Sequence, residues 1–338
     1  MTIKLAFTGT GYIAKVHAQA ARSLPDVELV AVVNHRPDSR AAFAAQFGIP
    51  RQYDTIAGLL AAGEVNAVSI NTPNYLHAPE AIAALGAGVH VMVEKPMAMN
   101  AAEAAEMLAV SERTGTVLLV AHCWRFDPEV QWLRANVGRI GPVIRTKGYG
   151  VHTNWGPGGW FTEARYAGGG ALADMGIHAV DTARYLLGDP QPVSVYAKIG
   201  TYYGDYDVDD TGVLMISWDN GATSVIETGW WQPQSDAPEA GTQLYGRGGY
   251  ASLFPTGLAL PDPAADEVVV VDSGFAHPRP EHCPQSMYDN QMAYFLDCVR
   301  SGTTPVPGGR EGLVNMRVVD AAYESARTGQ VVGIEAAS

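Results

Sequence analysis

Cysteine is scarce in this chain of 338 residues. Cys123, Cys283 and Cys298 are odd in number and far apart, so they suggest neither a disulfide framework nor a zinc ribbon. Basic charge is short as well: 22 Lys and Arg against 35 Asp and Glu leave a net charge of −13. Nucleic acid and anionic membranes both need a basic patch, so neither is an expected partner. No apolar run reaches the roughly 18 residues of a membrane-spanning helix. The first residues enter a strand, with no basic region and apolar signal segment before it. These absences predict a soluble protein of a reducing cytoplasm. The elbow G-x-S-x-G and the loop G-x-x-x-x-G-K-[ST] are missing, which argues against a serine hydrolase and a P-loop NTPase. His277-Pro278-Arg279-Pro280-Glu281-His282-Cys283 holds ligand residue types, but its prolines and the lack of a zinc spacing argue against a metal site.

Apolar residues make up 47% of the chain, enough for sizeable cores, and the length fits two domains at about 150 residues each. The chain opens on Ile3–Thr8, a short apolar strand. Gly9-Thr10-Gly11-Tyr12-Ile13-Ala14 follows and leads into a helix through His17. Strand, G-x-G-x-x-A turn and helix open a dinucleotide-binding unit. Gly9 permits the tight turn, Gly11 lets backbone approach a pyrophosphate, and Ala14 lets the helix pack on the strand. The helix N-terminus offers unpaired N–H groups to phosphate.

Further apolar strands at 28–33, 65–70, 89–93 and 117–121 alternate with helices. Pro37 starts one helix, Asn100 and Glu103 have capping-box spacing, and Gly48 and Gly115 stand at helix ends. The pattern over residues 1–122 predicts a doubly wound parallel sheet, whose ligands bind beyond the strand C-termini. Asn34, Asn71 to Asn74, Lys95 and His122 gather at that edge. Asn34 stands where an acidic residue would bind the ribose 2′-hydroxyl of NAD, and Arg36 and Arg40 are close by. Charge logic leans slightly to NADP, although two arginines are also ordinary at a solvated helix start.

After residue 122 the strands lengthen and follow one another, at 143–150, 193–199, 211–218, 222–230, 242–245 and 267–271. Asp219-Asn220-Gly221 signals a hairpin. Residues 123–338 thus read as an α+β domain with a mostly antiparallel sheet. Helices are expected near 127–136 and 174–187, and amphipathic helices at 287–300 and 310–328. The Pro-rich stretch 257–266 reads as an exposed loop.

Three groups of residues could do chemistry. Lys95 ends a buried strand, and a cis Lys95–Pro96 bond would fix its direction. Gly168-Gly169-Gly170 turns into a segment with Asp174 and His178 at i and i+4, with Asp181 near the same face. Hydride transfer from an alcohol needs a base for the hydroxyl proton, and histidine has a suitable pKa. A carboxylate one turn away can orient it, and Lys95 can stabilise a developing alkoxide. A helix-start aspartate and a buried core histidine present the same pattern. The third group is His152, Trp155, Trp160, Phe161, Arg165 and Tyr166, aromatic and polar residues suited to a sugar ring or to a loop packed on the sheet. His122, Arg125 and Tyr149 are further candidates for lining the substrate cleft.

The motifs together resemble the Gfo/Idh/MocA oxidoreductases. The resemblance rests on the Gly9–Ala14 turn, Thr72-Pro73-Asn74 with His77, Gly88 through Glu94-Lys95-Pro96, and Gly168-Gly169-Gly170 through Asp174, His178 and Asp181. It implies a nicotinamide-binding Rossmann domain and a C-terminal domain built on a large antiparallel sheet. It implies NAD(P) contacts from Gly9, Gly11, Tyr12, Ile13, Asn34, Arg36, Thr72, Pro73, Asn74, His77, Glu94 and Lys95. By the same resemblance Lys95, Asp174 and His178 are catalytic, with the histidine as general acid/base. Sugars, cyclitols and related polyols are the implied substrates, and homodimers or homotetramers form through the open sheet face. Asn34 departs from the NAD-type pattern. The alternatives are an NAD-retaining glycoside hydrolase of similar fold and a non-catalytic nucleotide-binding sensor.

Overall fold

The computed structural model describes residues 2–152, 156–230, 239–262, 264 and 267–335. The chain divides into two compact units, 1–123 with 284–316 and 124–283 with 317–338.

In the first unit six strands alternate with helices. They are β1 (Ile3–Thr8), β2 (Val27–Val33), β3 (Arg51–Tyr53), β4 (Ala67–Ile70), β5 (His90–Val93) and β6 (Leu118–Val120). The helices between them are α1 (Tyr12–Arg22), α2 (Pro37–Phe47), α3 (Ile56–Ala62), α4 (His77–Gly86) and α5 (Ala101–Thr114). All six strands are parallel, in the order β3-β2-β1-β4-β5-β6. The order reverses between β1 and β4, which is where such sheets open a ligand crevice. Both faces are covered, so β4, β5 and β6 are apolar and almost wholly buried. Local chemistry sets the helix ends. The Asn100 side chain accepts the Glu103 N–H at the start of α5, and Gly115 ends that helix at φ 68°.

The second unit begins with α6 (Pro128–Asn136), capped by the Asp127 carboxylate. Strand β7 (Val143–Val151) and the short helix α7 (Ala164–Ala167) follow. A turn of π-helix (Leu172–Gly176) then runs into α8 (Ile177–Leu186). The remaining strands are β8 (Pro192–Gly200), β9 (Thr211–Trp218), β10 (Thr223–Gly229), β11 (Ala240–Gly246), β12 (Gly249–Leu253), β13 (Gly257–Asp262) and β14 (Glu267–Asp272). Helices α9 (Gln285–Ser301) and α10 (Gly309–Thr328) and strand β15 (Val332–Gly333) close the chain. The sheet order is β14-β13-β12-β11-β7-β10-β9-β8-β15. It is antiparallel except for β7 beside β10. Asp219 to Gly221 does form the β9–β10 hairpin, with Gly221 at φ 84°.

Two expectations change. Within the stretch expected as a loop, residues 257–262 form strand β13, which pairs with β12 and β14 on its two sides; 263, 265 and 266 lie outside the described residues. Pro261 is tolerated within β13 as a strand near the sheet edge. Helix α9 belongs to the first unit, where Gln285 donates to the Val16 carbonyl and Arg300 to that of Pro25. Amphipathicity shows that a helix buries one face, not which body it buries it against.

Candidate active site

In the first unit the candidate residues stand at the C-terminal ends of parallel strands. Gly9 follows β1 at φ 81°, and a Cβ there would lie 2.4 Å from the Asn71 carbonyl oxygen after β4. Only glycine fits that approach. Gly11 is the N-cap of α1, has no side-chain cap, and has nothing within 4 Å of where its Cβ would be. The first turn of α1 carries no acidic residue. Unsatisfied N–H groups facing open space without a competing carboxylate fit a pyrophosphate. Tyr12 beside them is exposed and Ala14 is fully buried.

After β2, the Asn34 amide donates to Thr10 Oγ1 at 2.8 Å and accepts the Arg36 N–H at 2.8 Å. Arg40 is tied to Asp54 and to the Asn34 carbonyl, whereas Arg36 is exposed at the start of α2. After β4, the Thr72 hydroxyl donates to Glu80 at 3.2 Å and Thr8 donates to the same oxygen at 2.6 Å. Burial pushes the Glu80 carboxyl up to about 7, against the pull of these two bonds. His77 is buried, with its ring nitrogens 2.8 Å from the carbonyls of Pro96 and Thr72. Burial lowers its pKa to about 4. It braces the Thr72-Pro73-Asn74 loop against the Lys95–Pro96 loop.

The Lys95–Pro96 bond is cis. Glu94, expected among the cofactor contacts, is buried and faces inward. One of its oxygens accepts the Lys95 N–H at 3.1 Å, and the other lies 3.3 Å from His17 Nε2. His122, after β6, is 1% exposed and accepts from Asn315 of α10 at 3.1 Å.

In the second unit the candidate residues cluster on tryptophans. Trp230 Nε1 donates to Asp174 Oδ2 at 3.0 Å, and His152 Nε2 lies 3.5 Å from that same oxygen. His152 Nδ1 is 3.8 Å from a Glu239 oxygen. Burial alone would lower the His152 pKa, but Asp174 and Glu239 together outweigh it and raise it. The His178 ring stacks on Trp124 with centroids 4.8 Å apart and planes 18° apart. His282 meets the same indole edge-on at 5.6 Å, and burial lowers its pKa. Trp160 is half-buried and stacks on Phe161 at 3.9 Å. Trp155 lies outside the described residues.

Three details differ from the sequence reading. Asp174 lies within a π-turn, a feature frequent at functional sites. The α-helical i,i+4 rule therefore does not describe its relation to His178. Arg125 is not aimed at a ligand. It is 2% exposed, with a bidentate pair to Asp181 at 2.8 Å and further bonds to Asp189. Tyr149 lies on the sheet face away from α8. Strand alternation turns Thr146, Gly148 and Gly150 of β7 to the helix side, where a Cβ on Gly150 would meet the Met175 carbonyl at 2.4 Å. Tyr149 pairs instead with Glu227 and Gly241 on the other face.

His17, Glu80, Trp124, Trp230 and Glu239 escaped the sequence reading as site residues, and His282 was weighed there only as a metal ligand. Their partners are mostly distant in sequence, and no spacing pattern marks such contacts. Among the described residues no cluster of His, Cys, Asp and Glu could hold a metal ion, and no helix is long and apolar enough to cross a membrane.

The profile of the oxidoreductase family with an NAD-binding Rossmann fold matches residues 3–122. That of the GFO/IDH/MocA C-terminal domain matches residues 134–252. The chain is 31% identical to D-glucoside 3-dehydrogenase of Escherichia coli (strain K12), covering 97% of this chain and 96% of the relative. It is 32% identical to D-xylose 1-dehydrogenase (NADP(+)) 2 of Haloferax volcanii, covering 90% and 92%. Its fold is that of a levoglucosan dehydrogenase solved with NADH and levoglucosan, at a TM-score of 0.88, 23% identity and coverage of 98% and 99%.

Proposed function

The chain belongs to the Gfo/Idh/MocA oxidoreductase family, and from that premise we propose that it is an NAD(P)-dependent dehydrogenase or reductase of a sugar, cyclitol or related polyol. The observation that carries this reading is Asp174, held by the Trp230 indole N–H and the His152 imidazole. A carboxylate and an imidazole held side by side match the rim of hydroxyls on a sugar or cyclitol ring. The names of the two curated relatives support the same substrate class.

When bound, the nicotinamide supplies the acceptor or donor of hydride. The Gly9 amide is taken by the Val33 carbonyl, so the amides of Gly11 to Ile13 would hold the pyrophosphate, and the loops at Thr72 to Asn74 and Glu94-Lys95, braced by His77, would receive the rest of the dinucleotide. Asn34 and Arg36 meet the ribose 2′ position. Arg40 is already paired with Asp54, so Arg36 is the cation suited to a 2′-phosphate, and the lean is to NADP. His178 takes the proton of the carbinol hydroxyl in oxidation and returns it in reduction. Asp174 orients the proton-bearing groups, and the Lys95 ammonium donates to the reacting oxygen. His152, Trp155 and Trp160 contribute to substrate binding, whereas His122 is buried and bonded to Asn315. Arg125 is committed to Asp181 and Asp189, and Tyr149 faces away from α8.

A homodimer or homotetramer through the open face of the nine-stranded sheet belongs to the same proposal. Tyr196, Met215 and Val225 are register partners across β8, β9 and β10, and each is 37–46% exposed. Val213 adds to the patch, and contiguous apolar surface of this kind marks an interface.

The test is net reduction of added NAD+ or NADP+ across a panel of sugars and polyols. Accumulating reduced nicotinamide supports the proposal. Cleavage of a glycoside with no net reduction replaces it with the NAD-retaining hydrolase.

A further inference from the structure

We propose that Asp209, together with Tyr323, is a positioning residue for Asp174 and His178, a step that rests on the catalytic assignment made above. Asp209 lies just before β9, far in sequence from the π-turn, yet it caps the start of that turn. Its Oδ1 accepts the Gly170 N–H at 2.8 Å and its Oδ2 accepts the Leu172 N–H at 2.8 Å. Its main-chain carbonyl accepts the Ala171 N–H between them, also at 2.8 Å. Three consecutive amides at the start of the helix are thus satisfied by one residue. The cap is itself anchored. The Tyr323 hydroxyl of α10 donates to Asp209 Oδ1 at 2.7 Å and accepts the Gly170 N–H at 3.2 Å.

The same contacts account for the glycines. A Cβ on Gly170 would lie 1.8 Å from the Asp209 carbonyl oxygen, and one on Gly169 would lie 2.1 Å from the Tyr323 hydroxyl. The close approach these glycines permit is to Asp209 and Tyr323. Asp209 is 7% exposed. Burial raises its pKa although its hydrogen bonds oppose the shift.

A second route runs through the neighbouring residue. The Asp210 carboxylate accepts the N–H groups of Tyr202, Tyr203 and Gly204 and the Tyr206 hydroxyl. Its carbonyl accepts the Trp230 N–H at 2.9 Å, and the Trp230 indole donates to Asp174. The Asp209-Asp210 dipeptide therefore supports Asp174 twice, through the start of its helix and through the indole that holds its carboxylate. Displacement of a catalytic group by about 1 Å can cost on the order of a hundredfold in rate.

The experiment compares Asp209→Asn, Tyr323→Phe and His178→Asn in the full chain. Asn keeps the side-chain volume but turns a donor toward an amide N–H. The expected result for D209N is a kcat about a hundredfold lower, a shifted pH limb of kcat, and cofactor Kd within about twofold of the parent. Y323F keeps all three amides capped, and its kcat should fall about threefold to tenfold. Its hydrogen exchange over residues 168–178, read by mass spectrometry, should be faster. A merely structural role would lower thermal stability while leaving kcat and the pH limb of the folded protein unchanged. That outcome overturns the proposal. If D209N does not fold, Y323F decides: parental kcat and parental exchange refute the positioning role. H178N separates the two levels. Its retained activity refutes the catalytic assignment, whereas an inactive H178N beside fully active D209N and Y323F refutes the role of Asp209 alone.

Discussion

His17 Nε2 stands 3.3 Å from Glu94 Oε1, with the imidazole fully buried and the carboxylate nearly so. The other oxygen of Glu94 accepts the Lys95 N–H. His17 Nδ1 lies 3.2 Å from Ser69 Oγ, which bonds Asn71 beside the glycine turn. One buried imidazole thus links the loop that Gly9 packs against to the backbone of Lys95.

This imidazole also makes the fold sensitive to acid. Burial lowers the pKa of His17 to about 4, and that of His77 likewise, while an unfolded histidine binds its proton near 6.5. The folded state therefore holds fewer protons between these values. The stability concerned is fully present above about pH 6.5 and is lost as pH falls toward 4. Melting temperature should fall over that window, and His17→Gln should flatten the fall. A parent protein whose melting temperature stays level from pH 7 to about pH 4 contradicts this.

Glu80 works in the opposite direction. Its folded pKa of about 7 exceeds the ordinary carboxylate value. Stability is therefore lost as pH rises from about 4.5 to 7 and stays lost above that. Glu80→Gln keeps an acceptor for Thr8 and Thr72 and removes the buried charge. It should raise the melting temperature at pH 8 and change it little at pH 4. Equal effects at both pH values would show that the charge is not the cause.

Arg125 is a strut. Asp181 and Arg125 are both about 2% exposed at the side chain, and Arg125→Met removes the guanidinium from that buried carboxylate. Removing one member of such a pair costs about 3–5 kcal/mol, readable by denaturant unfolding. Unchanged stability with a raised KM for substrate would return Arg125 to the substrate contacts.

The proposed lean to NADP rests on Arg36. Arg36→Ala should weaken NADPH binding about tenfold, with NADH affected about twofold or less, since a charge-assisted phosphate contact is worth about 1.5 kcal/mol or more. Equal losses for the two cofactors, by titration, would place Arg36 away from the 2′ position.

The sequence made local features legible. Asn100 with Glu103, Pro37, Gly48 and Gly115 announce helix ends because capping is chemistry between near neighbours. The Gly9–Ala14 turn and Lys95 are legible because parallel strands carry all their C-terminal loops to one edge. What stayed hidden depends on distant residues. Asp209 caps Gly170 to Leu172 across some forty positions of chain, and no periodicity encodes that. Tyr149 was misplaced for want of the register of β7, since one step along a strand reverses the face. The triple glycine was legible as a turn, but not the Asp209 carbonyl and Tyr323 hydroxyl that approach it.

The most direct measurement uses a sugar or polyol deuterated at its carbinol carbons, incubated with the protein and oxidised cofactor. Mass spectrometry then follows the label. One deuterium should appear on each reduced nicotinamide, together with one equivalent of ketone or lactone, and His178→Asn should abolish the transfer. Reduced cofactor without the label, or label returned wholly to the sugar with no net reduction, would contradict the dehydrogenase function.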